Sequence, residues 1–335
     1  MTVDTQAAGT AIDLITGAWR TQATYAAARL RLPDLVASGH SSSGDLARAT
    51  GTDEDIVRRL MRLLVLLGVF DSDGHGGYRT TPVSDLLRER PGTLREMCLL
   101  YGEEFYQAWG QAWHAFTTAT PGFAEAHGQS LNAYLSDHQE TADRFQRAMQ
   151  DGGFVFDDIP SVFDFSRCRR VVDIGGGNGH LLSTVLAAAP ESTGVLVDLP
   201  HAIPIARAYL ADATGLDRVE LIGRDMFSGP LPTGDVYLLS RVLGGWDVDS
   251  CTRLLRGLRA AMTEKSRLLV LDRVAMDDGT GPLAALWDLH LLMTNGGRQR
   301  TLDDFRSLLD SSGLAIERIA ELPMEHKALV VSKAP

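Results

Sequence analysis

A glycine-rich turn between an apolar run and a helical segment constrains this chain most. Residues 171–174 are apolar apart from Asp173, the turn Gly-Gly-Gly-Asn-Gly occupies 175–179, and residues 181–189 have helical periodicity. Glycines let backbone approach a ligand closely, and a helix N-terminus offers unpaired N–H groups. The segment therefore predicts a seat for a nucleotide-like cofactor. Its Gly-x-Gly-x-Gly spacing differs from the Gly-x-Gly-x-x-Gly of dinucleotide-binding proteins, which opposes a nicotinamide-dependent dehydrogenase.

Strands and helices alternate on both sides of this turn. The candidate strands are residues 170–174, 194–198, 219–222, 235–240, 266–273, 315–320 and 327–332. Because helix-like runs lie between most of them, the pattern predicts an α/β fold with a doubly wound, mostly parallel, Rossmann-like sheet from about residue 168. The last two strands are close in sequence and are expected to form an antiparallel edge.

Acidic residues stand at the ends of the first candidate strands. Asp198 ends the second strand, 23 positions after Gly175, and Asp225 with Met226 follows the third. Asp198 could accept hydrogen bonds from both ribose hydroxyls, while Asp225 could accept the adenine amino group and Met226 could cover the ring. Roles in turns or helix caps would explain each aspartate alone, but they explain Asp173, Asp198 and Asp225 together poorly.

The first 95 residues predict a smaller, helical domain. Residues 12–36 are expected to form one or two amphipathic helices, and 43–51 a short helix with a serine N-cap and a glycine stop. Residues 53–69 predict a longer helix. Its apolar face is expected to contain Ile56, Leu60, Leu63, Leu64 and Leu67. Residues 69–70 and 78–80 flank a hairpin turn, so the order of helix, helix and hairpin is that of a winged helix.

The composition limits which functions this organisation can serve. We expect two domains, residues 1–95 and residues 96–335, the second beginning with aromatic-rich helices before the sheet. A winged helix with Arg58, Arg59 and Arg62 suggests a DNA-binding regulator as an alternative, but the net charge of −11 and the apolar residues 63–67 oppose it. Three scattered cysteines and the lack of an apolar span or signal peptide favour a reduced, cytoplasmic setting without membrane contact, and no metal site is expected.

At these residues the chain resembles the class I S-adenosylmethionine (SAM)-dependent methyltransferases, and more narrowly those with a winged-helix-like dimerisation domain. The resemblance covers residues 12–332, including the glycine turn, 225–227, 237–247 and 296–301. The segments 101–105, 239–244, 286–291 and 321–325 resemble the phenazine methyltransferases of the phenazine-1-carboxylate N-methyltransferase type. The resemblance implies SAM as cofactor, a homodimer, and a small planar aromatic acceptor, with a phenazine expected, methylated on nitrogen or oxygen in secondary-metabolite biosynthesis.

The resemblance also implies a set of site residues. The cofactor residues would be Asp173 near the methionine amino group, Gly175, Gly177, Asp198, Leu199, Asp225, Met226, Ser240 and Arg241. The acceptor residues would be Tyr106, Trp109, Phe145, Met149, Trp287, His290, Met293 and Asn295, with Tyr106 and Trp109 closing over the cofactor. Arg241 or Arg298 could also hold an acceptor carboxylate, although solvated helix-end charges are the simpler interpretation.

One departure from the family bears on mechanism. Where the wider O-methyltransferase family has His-Asp-Trp, with the histidine as general base, this chain has Gly244-Gly245-Trp246. General base catalysis contributes roughly 100- to 10,000-fold, whereas holding nucleophile and methyl group in line contributes about 7–11 kcal/mol. A base is therefore dispensable for a ring nitrogen or for an already acidic hydroxyl, and both stay open.

His290 is the candidate substitute for the missing base. It could be a general base or a positioning donor, and a packing role is the alternative. The missing histidine also admits a SAM-binding member of the family that does not methylate but catalyses hydroxylation or rearrangement.

Overall fold

The computed structural model describes residues 4–275 and 282–334, apart from the side chains of residues 150 and 151. The chain divides into two compact units, Met1–Tyr106 and Gln107–Pro335. Among the described helices, none is long and apolar enough to cross a membrane.

From residue 4 onward, where its description begins, the N-terminal unit contains seven helices and one hairpin, with part of an eighth helix. They are α1 (Thr5–Ile15), α2 (Gly17–Arg29), α3 (Leu32–Ala37), α4 (Ser43–Thr50), α5 (Glu54–Leu66), β1 (Phe70–Ser72), β2 (Tyr78–Thr80), α6 (Pro82–Asp85), α7 (Arg95–Gly102) and α8 (Glu104–Gly110), the last continuing into the second unit. The predicted order of helix, helix and hairpin is present in α4, α5 and the antiparallel pair β1–β2.

Three details of this unit differ from the prediction. Residues 12–36 contain three helices, because the chain breaks at Thr16 and at Arg31, whose φ of 58° is left-handed. The N-cap of α4 is Ser42, which accepts the backbone N–H of Asp45, while Gly51 ends the helix in a left-handed conformation as expected. The predicted hairpin strand at 69–70 begins instead at Phe70.

The predicted apolar face of α5 was confirmed at Leu64, and at Leu60 and Leu67, which pack against the same core, but it was wrong at Ile56. Its fully buried residues are Val57, Met61 and Leu64, whereas Ile56 is 53% exposed. The positions i, i+4 and i+7 fit the buried set as well as they fit Leu60, Leu64 and Leu67, so periodicity left the orientation of the helix open by about one residue. Ile56 instead adds to the apolar surface of this unit.

The C-terminal unit is a sheet with helices on both faces. After α8 its helices are α9 (Ala112–Thr118), α10 (Gly122–His127), α11 (Leu131–Asp137), α12 (Gln139–Asp151), α13 (Ile159–Val162), α14 (His180–Ala188), α15 (Ile203–Ala213), α16 (Val248–Ala261), α17 (Leu283–Asn295) and α18 (Leu302–Ser311), with 3₁₀ turns at Gly152–Phe156 and Leu243–Gly245. Its strands are β3 (Arg170–Ile174), β4 (Thr193–Asp198), β5 (Val219–Gly223), β6 (Val236–Ser240), β7 (Arg267–Ala275), β8 (Arg300–Thr301), β9 (Leu314–Leu322) and β10 (His326–Lys333).

The sheet confirms the predicted fold class. Its order is β5-β4-β3-β6-β7-β10-β9, with the first five strands parallel and β10 antiparallel to both β7 and β9. Only β8, two residues paired with β7, was not predicted, because so short a strand has no periodicity to detect. Alternate residues of β3 face opposite layers: Val172 and Ile174 lie in one apolar cluster, and Val171 lies in the other.

The strand order reverses between β3 and β6. The chain adds β4 and β5 on one side of β3 and then returns to add β6 and β7 on the other side. In a doubly wound sheet, the carboxyl ends of the strands at this reversal open a crevice for ligands. The turn after β3 and the loop after β6 therefore form the expected place for a site.

Candidate active site

The turn after β3 can be built only with small residues. Gly175, Gly177 and Gly179 have φ values of 68°, 58° and 86°, a region that side chains rarely adopt. A Cβ on Gly175 would also lie 2.8 Å from Cγ2 of Val242, in the loop after β6. This turn therefore requires glycine both for its backbone conformation and for the space beside Val242.

Asp198 fastens this turn to the end of β4. Its Oδ2 accepts the N–H of Gly177 at 2.8 Å, and its Oδ1 accepts the N–H of Leu199 at 2.6 Å. Burial raises the pKa of Asp198, while these two backbone donors oppose that rise. Each carboxylate oxygen keeps a second lone pair, so the residue can hold the turn and still accept from a ligand.

Asp173 is the least satisfied polar group of the site. It is 1% exposed, and among the described residues neither carboxyl oxygen has a hydrogen-bond partner. Burial, with a smaller contribution from the charge of Asp198, raises the pKa of Asp173 to about 8. A buried carboxyl group left unpaired calls for an explanation, and a cationic ligand group would supply the missing partner.

A cavity of about 660 Å³ joins these residues. All the residues predicted to bind the cofactor line it, which are Asp173, Gly175, Gly177, Asp198, Leu199, Asp225, Met226, Ser240 and Arg241. Asp225 is exposed, and its Oδ1 accepts the N–H of Phe227. Met226 is half-buried beside it. The residues predicted to bind the cofactor follow the ends of several strands, and the fold brings them together around one cavity.

The predicted acceptor residues divide into two groups. Phe145 and Met149 of α12 line the cavity, and so does Asn295 at the end of α17. Trp109, Trp287, His290 and Met293 do not line it, and Tyr106 is the last residue of the N-terminal unit. From α17 and the residue after it, only Thr294, Asn295 and Gly296 reach the lining.

His290 belongs to a buried aromatic cluster. The Nε1–H of Trp109 donates to its Nδ1 at 3.3 Å, and Trp287 meets its ring edge-on at 5.2 Å. The Arg273 guanidinium lies over the Trp287 ring. Burial lowers the pKa of His290 to about 4, so the ring is neutral at pH 7. Because Nδ1 accepts, the proton of the neutral ring is on Nε2, which is the arrangement of a donor.

The glycine pair, Gly244 and Gly245, lies in a loop that a buried arginine holds in place. Arg300 is 1% exposed, and its guanidinium donates to the carbonyls of Leu243 and Trp246 on either side of the pair. A Cβ on Gly244 would lie 3.2 Å from Cδ1 of Leu291 and 3.9 Å from a carboxyl oxygen of Asp272. The loop is thus positioned through its backbone, without a side chain at 244.

Other groups near this loop carry charge. Arg241 donates to the carbonyl of Met149 at 3.0 Å and lies over the ring of Phe156, so its charge is engaged. Arg298 is exposed. Burial raises the pKa of Asp272 to about 6, against the lowering effect of the Arg273 N–H.

Sequence reasoning missed several residues of the site. Arg300 lies within the segment 296–301, but no periodic pattern marks a single buried cation. His180 lines the cavity, with Nδ1 3.0 Å from the Tyr209 hydroxyl and Nε2 3.3 Å from the Asp157 carboxylate. Because His180 is the first residue of the helix that follows the glycine turn, the sequence could have predicted that it lines the cavity. Within residues 4–275 and 282–334, no group of His, Cys, Asp and Glu side chains could hold a metal ion.

Comparison with known proteins agrees with this architecture. The O-methyltransferase domain matches residues 109–315, and the O-methyltransferase dimerisation domain matches residues 12–90. The chain is 41% identical over 328 residues to the phenazine-1-carboxylate N-methyltransferase of Pseudomonas aeruginosa, covering 98% of each protein. It is 37% identical over 328 residues to the phenazine O-methyltransferase PhzM of Lysobacter antibioticus, covering 97% of this chain and 95% of that protein.

Two further matches bear on cofactor and chemistry. The structure of NcsB1 from neocarzinostatin biosynthesis, solved with SAM and 2-hydroxy-5-methyl naphthoic acid, has a TM-score of 0.80 and 28% identity, covering 94% of this chain and 96% of that one. The aclacinomycin 10-hydroxylase RdmB of Streptomyces purpurascens is 36% identical over 304 residues, covering 87% of this chain and 80% of that protein.

Fold and site together define a SAM-dependent methyltransferase. Within that class, the chain belongs to the O-methyltransferase family that carries an N-terminal dimerisation domain. The winged-helix pattern thus lies within the matched dimerisation domain.

Proposed function

We propose that the protein transfers the methyl group of SAM to a small planar aromatic acceptor, a phenazine, on nitrogen or oxygen and without a protein base. The observation that carries this proposal is that Gly244 and Gly245 stand where the family has its base, while the residues expected to bind the cofactor all line one cavity. The phenazine class is supported by relatives named as phenazine N- and O-methyltransferases.

The cofactor half of the cavity fits SAM chemically. The unpaired Asp173 would take the methionine amino group, Asp198 the ribose hydroxyls, and Asp225 with Met226 the adenine. Gly175 and Gly177 let the backbone come close. When bound, SAM supplies a sulfonium methyl group whose bond to sulfur breaks with the electron pair left on sulfur.

The acceptor half would hold a flat ring without removing a proton. Phe145 and Met149 offer apolar faces, and Asn295 offers an amide. His290 is a neutral donor held by Trp109, so we assign it to positioning and packing within the wall rather than to proton abstraction. Rate enhancement then comes mainly from holding the nucleophile and the methyl group in line.

We also propose a cytoplasmic homodimer. The N-terminal unit exposes a group of large apolar side chains: Ile12 (60%), Leu14 (78%), Ile15 (75%), Trp19 (68%), Ile56 (53%) and Leu66 (78%). Exposed apolar surface on a matched dimerisation domain fits burial against a second copy. Light scattering tests this, because a Leu14→Glu, Trp19→Glu variant should elute as a monomer while a Val248→Glu variant should not.

The test of function uses SAM with an isotopically labelled methyl group. Phenazine-1-carboxylate, hydroxyphenazines and hydroxyphenazine N-oxides are offered, and products are identified by mass spectrometry and NMR. Label on any of them supports the proposal. Measured SAM binding with no labelled product from any acceptor would overturn it. Asp198→Ala should abolish SAM binding while the protein stays folded.

A second function is favoured by one relative, the hydroxylase RdmB. If this chain hydroxylates its acceptor, one atom of O₂ enters the product and the other leaves as water, with the two electrons and two protons supplied by an added thiol that is oxidised to its disulfide, and SAM is not consumed. Incubation under ¹⁸O₂ with mass analysis separates the two reactions, because a methyltransferase converts SAM to S-adenosylhomocysteine.

A further inference from the structure

The side chain of Asn178 contains a buried donor without a partner. Asn178 is the fourth residue of the glycine turn and is 6% exposed, yet it lines the cavity. Its Oδ1 accepts the backbone N–H of His180 at 3.1 Å, and because an N–H can only donate, the other end of the amide is Nδ2. Among the described residues, no group accepts from this Nδ2. A buried donor without a partner is costly, so it calls for an acceptor in a ligand.

The neighbouring backbone donors of the turn are already paired. The N–H groups that donate to protein oxygens, at 2.8–3.1 Å, are those of Gly175, Gly177, Gly179 and His180. These four donors hold the shape of the turn. The Nδ2 of Asn178 is therefore a donor that the fold itself does not use.

An unpaired carboxyl group lies against the same turn. A Cβ on Gly176, two positions before Asn178, would lie 2.7 Å from Oδ2 of Asp173, whose carboxyl oxygens have no partner among the described residues. This part of the cavity thus offers a carboxyl group and an amide donor, both buried and both unpaired. A ligand with a cationic and an anionic group on neighbouring atoms would satisfy both.

SAM contains one such pair of groups. The amino group and the carboxylate of its methionine part are bonded to the same carbon, so an amino group held at Asp173 brings the carboxylate to this turn. The sulfonium is cationic and does not accept a hydrogen bond, while the ribose and the adenine are assigned to Asp198 and Asp225, which line the cavity. The carboxylate is the acceptor that remains, and hydrogen bonds to charged groups are the stronger ones.

We propose that Asn178 donates a hydrogen bond from Nδ2 to the methionine carboxylate of SAM, so that this turn distinguishes SAM from cofactors without that carboxylate. The proposal rests on the placement of the amino group at Asp173 in the proposed function, and it deepens that placement by assigning the second charged group on the same carbon. Asn178 is then a residue that determines cofactor specificity.

The test compares SAM with decarboxylated SAM, which keeps the sulfonium, the ribose, the adenine and the amino group but lacks the carboxylate. Isothermal titration calorimetry gives the dissociation constant of each cofactor for each protein. The quantity compared is the preference for SAM, which is the ratio of the two constants. A substitution that only distorts the turn weakens the binding of both cofactors and leaves this ratio unchanged.

Two substitutions of Asn178 remove the donor. Asn178→Asp keeps an oxygen that accepts from His180. We expect this variant to bind SAM roughly 10- to 100-fold more weakly, the loss of one hydrogen bond to a charged group, and to bind decarboxylated SAM at least as tightly as the wild type does. Asn178→Ser removes the amide without adding a charge, and the preference for SAM should again fall roughly tenfold.

Two matched variants serve as controls. Asn132→Asp adds the same charge to another wall of the cavity, where it should change the affinity for both cofactors in the same direction. Asp173→Asn should weaken the binding of both cofactors, because both keep the amino group.

The outcomes separate this inference from the proposed function. A preference for SAM that falls only in the Asn178 variants supports the contact. An equal preference in the wild type, Asn178→Asp and Asn178→Ser would overturn it and leave the proposed methyl transfer standing. A lowered preference in those variants, together with no label on any acceptor, would keep the contact and overturn the methyl transfer.

Discussion

Replacing Asp173 by asparagine should change stability and cofactor binding in opposite directions. In the protein without ligand, the carboxyl group is buried, unpaired and held at a pKa of about 8, far above its ordinary value of 3.8. Below pH 3.8 the group is protonated in both folded and unfolded chains and contributes nothing. Between pH 3.8 and 8 the unfolded chain loses the proton that the folded chain keeps, so stability falls as the pH rises, and the loss is complete above pH 8.

The size of this effect follows from the shift. Each pH unit between the two pKa values removes about 1.4 kcal/mol, so the wild type should lose about 4 kcal/mol relative to Asp173→Asn between pH 5 and 8. Comparing the two proteins cancels the titration of all other groups. Urea unfolding at pH 5, 6, 7 and 8 measures the difference, which should widen steadily with pH in favour of the variant.

SAM binding should reverse the order of stability of the wild type and Asp173→Asn. A cationic amino group beside Asp173 would ionise it and remove the penalty, so SAM should stabilise the wild type more at pH 8 than at pH 6. Calorimetry should show about 10- to 100-fold weaker SAM binding by Asp173→Asn. Parallel stability curves for the two proteins, or unchanged SAM affinity, would refute the assignment of Asp173 as the unpaired partner of the cofactor.

Three further substitutions test the loops of the site. Gly175→Ala should weaken SAM binding at least tenfold in calorimetry, since its Cβ would meet Val242 at 2.8 Å; normal affinity would show that the turn can shift. Arg300→Lys should lower the free energy of unfolding by about 2–4 kcal/mol, because one amine cannot replace both bonds to the loop carbonyls; an unchanged Tm would contradict this. Gly244→His should improve methylation of weakly acidic phenols only when combined with Leu291→Ala, which clears the 3.2 Å contact, and improvement in the single variant would count against the crowding argument.

The sheet could be predicted well because its central strands β3, β4, β6 and β7 are buried on both faces. Apolar runs in parallel strands end at turns, and the seven predicted strands lie within about two residues of those observed. The orientation of α5 could not be predicted, because its sequence offers two apolar faces and only packing chooses Val57 over Ile56. Local pattern thus specifies elements better than it specifies which side of an element is covered.

The cofactor half of the site could likewise be predicted better from the sequence than the acceptor half. Cofactor residues stand at strand ends, and a parallel sheet places all such ends along one edge, so their convergence follows from topology. Acceptor residues come from helices, where the cavity touches only part of each helix. The last turn of α17 reaches the cavity with Asn295, whereas His290, five positions earlier, packs with Trp109 and Trp287. No sequence pattern states where along a helix a cavity ends.

The loop after β6 is held in a fixed position although it carries no base. Arg300 donates to the carbonyls of Leu243 and Trp246, and Asp272 is buried near Gly244, so the backbone at position 244 is held in place although it carries no imidazole. The side chain of Asn295 lies beside this loop, with its Oδ1 accepting the N–H of Gly297 and its Nδ2 3.3 Å from where a Cβ on Gly245 would lie. An enzyme with a base lowers the barrier for any phenol it can deprotonate, whereas one without a base favours acceptors that ionise by themselves. Acceptor choice should therefore follow hydroxyl acidity: across a series of substituted hydroxyphenazines at pH 7, kcat/KM should rise as the hydroxyl pKa falls toward 7 and then level off, and a rate independent of acidity would show that a proton acceptor is still at work.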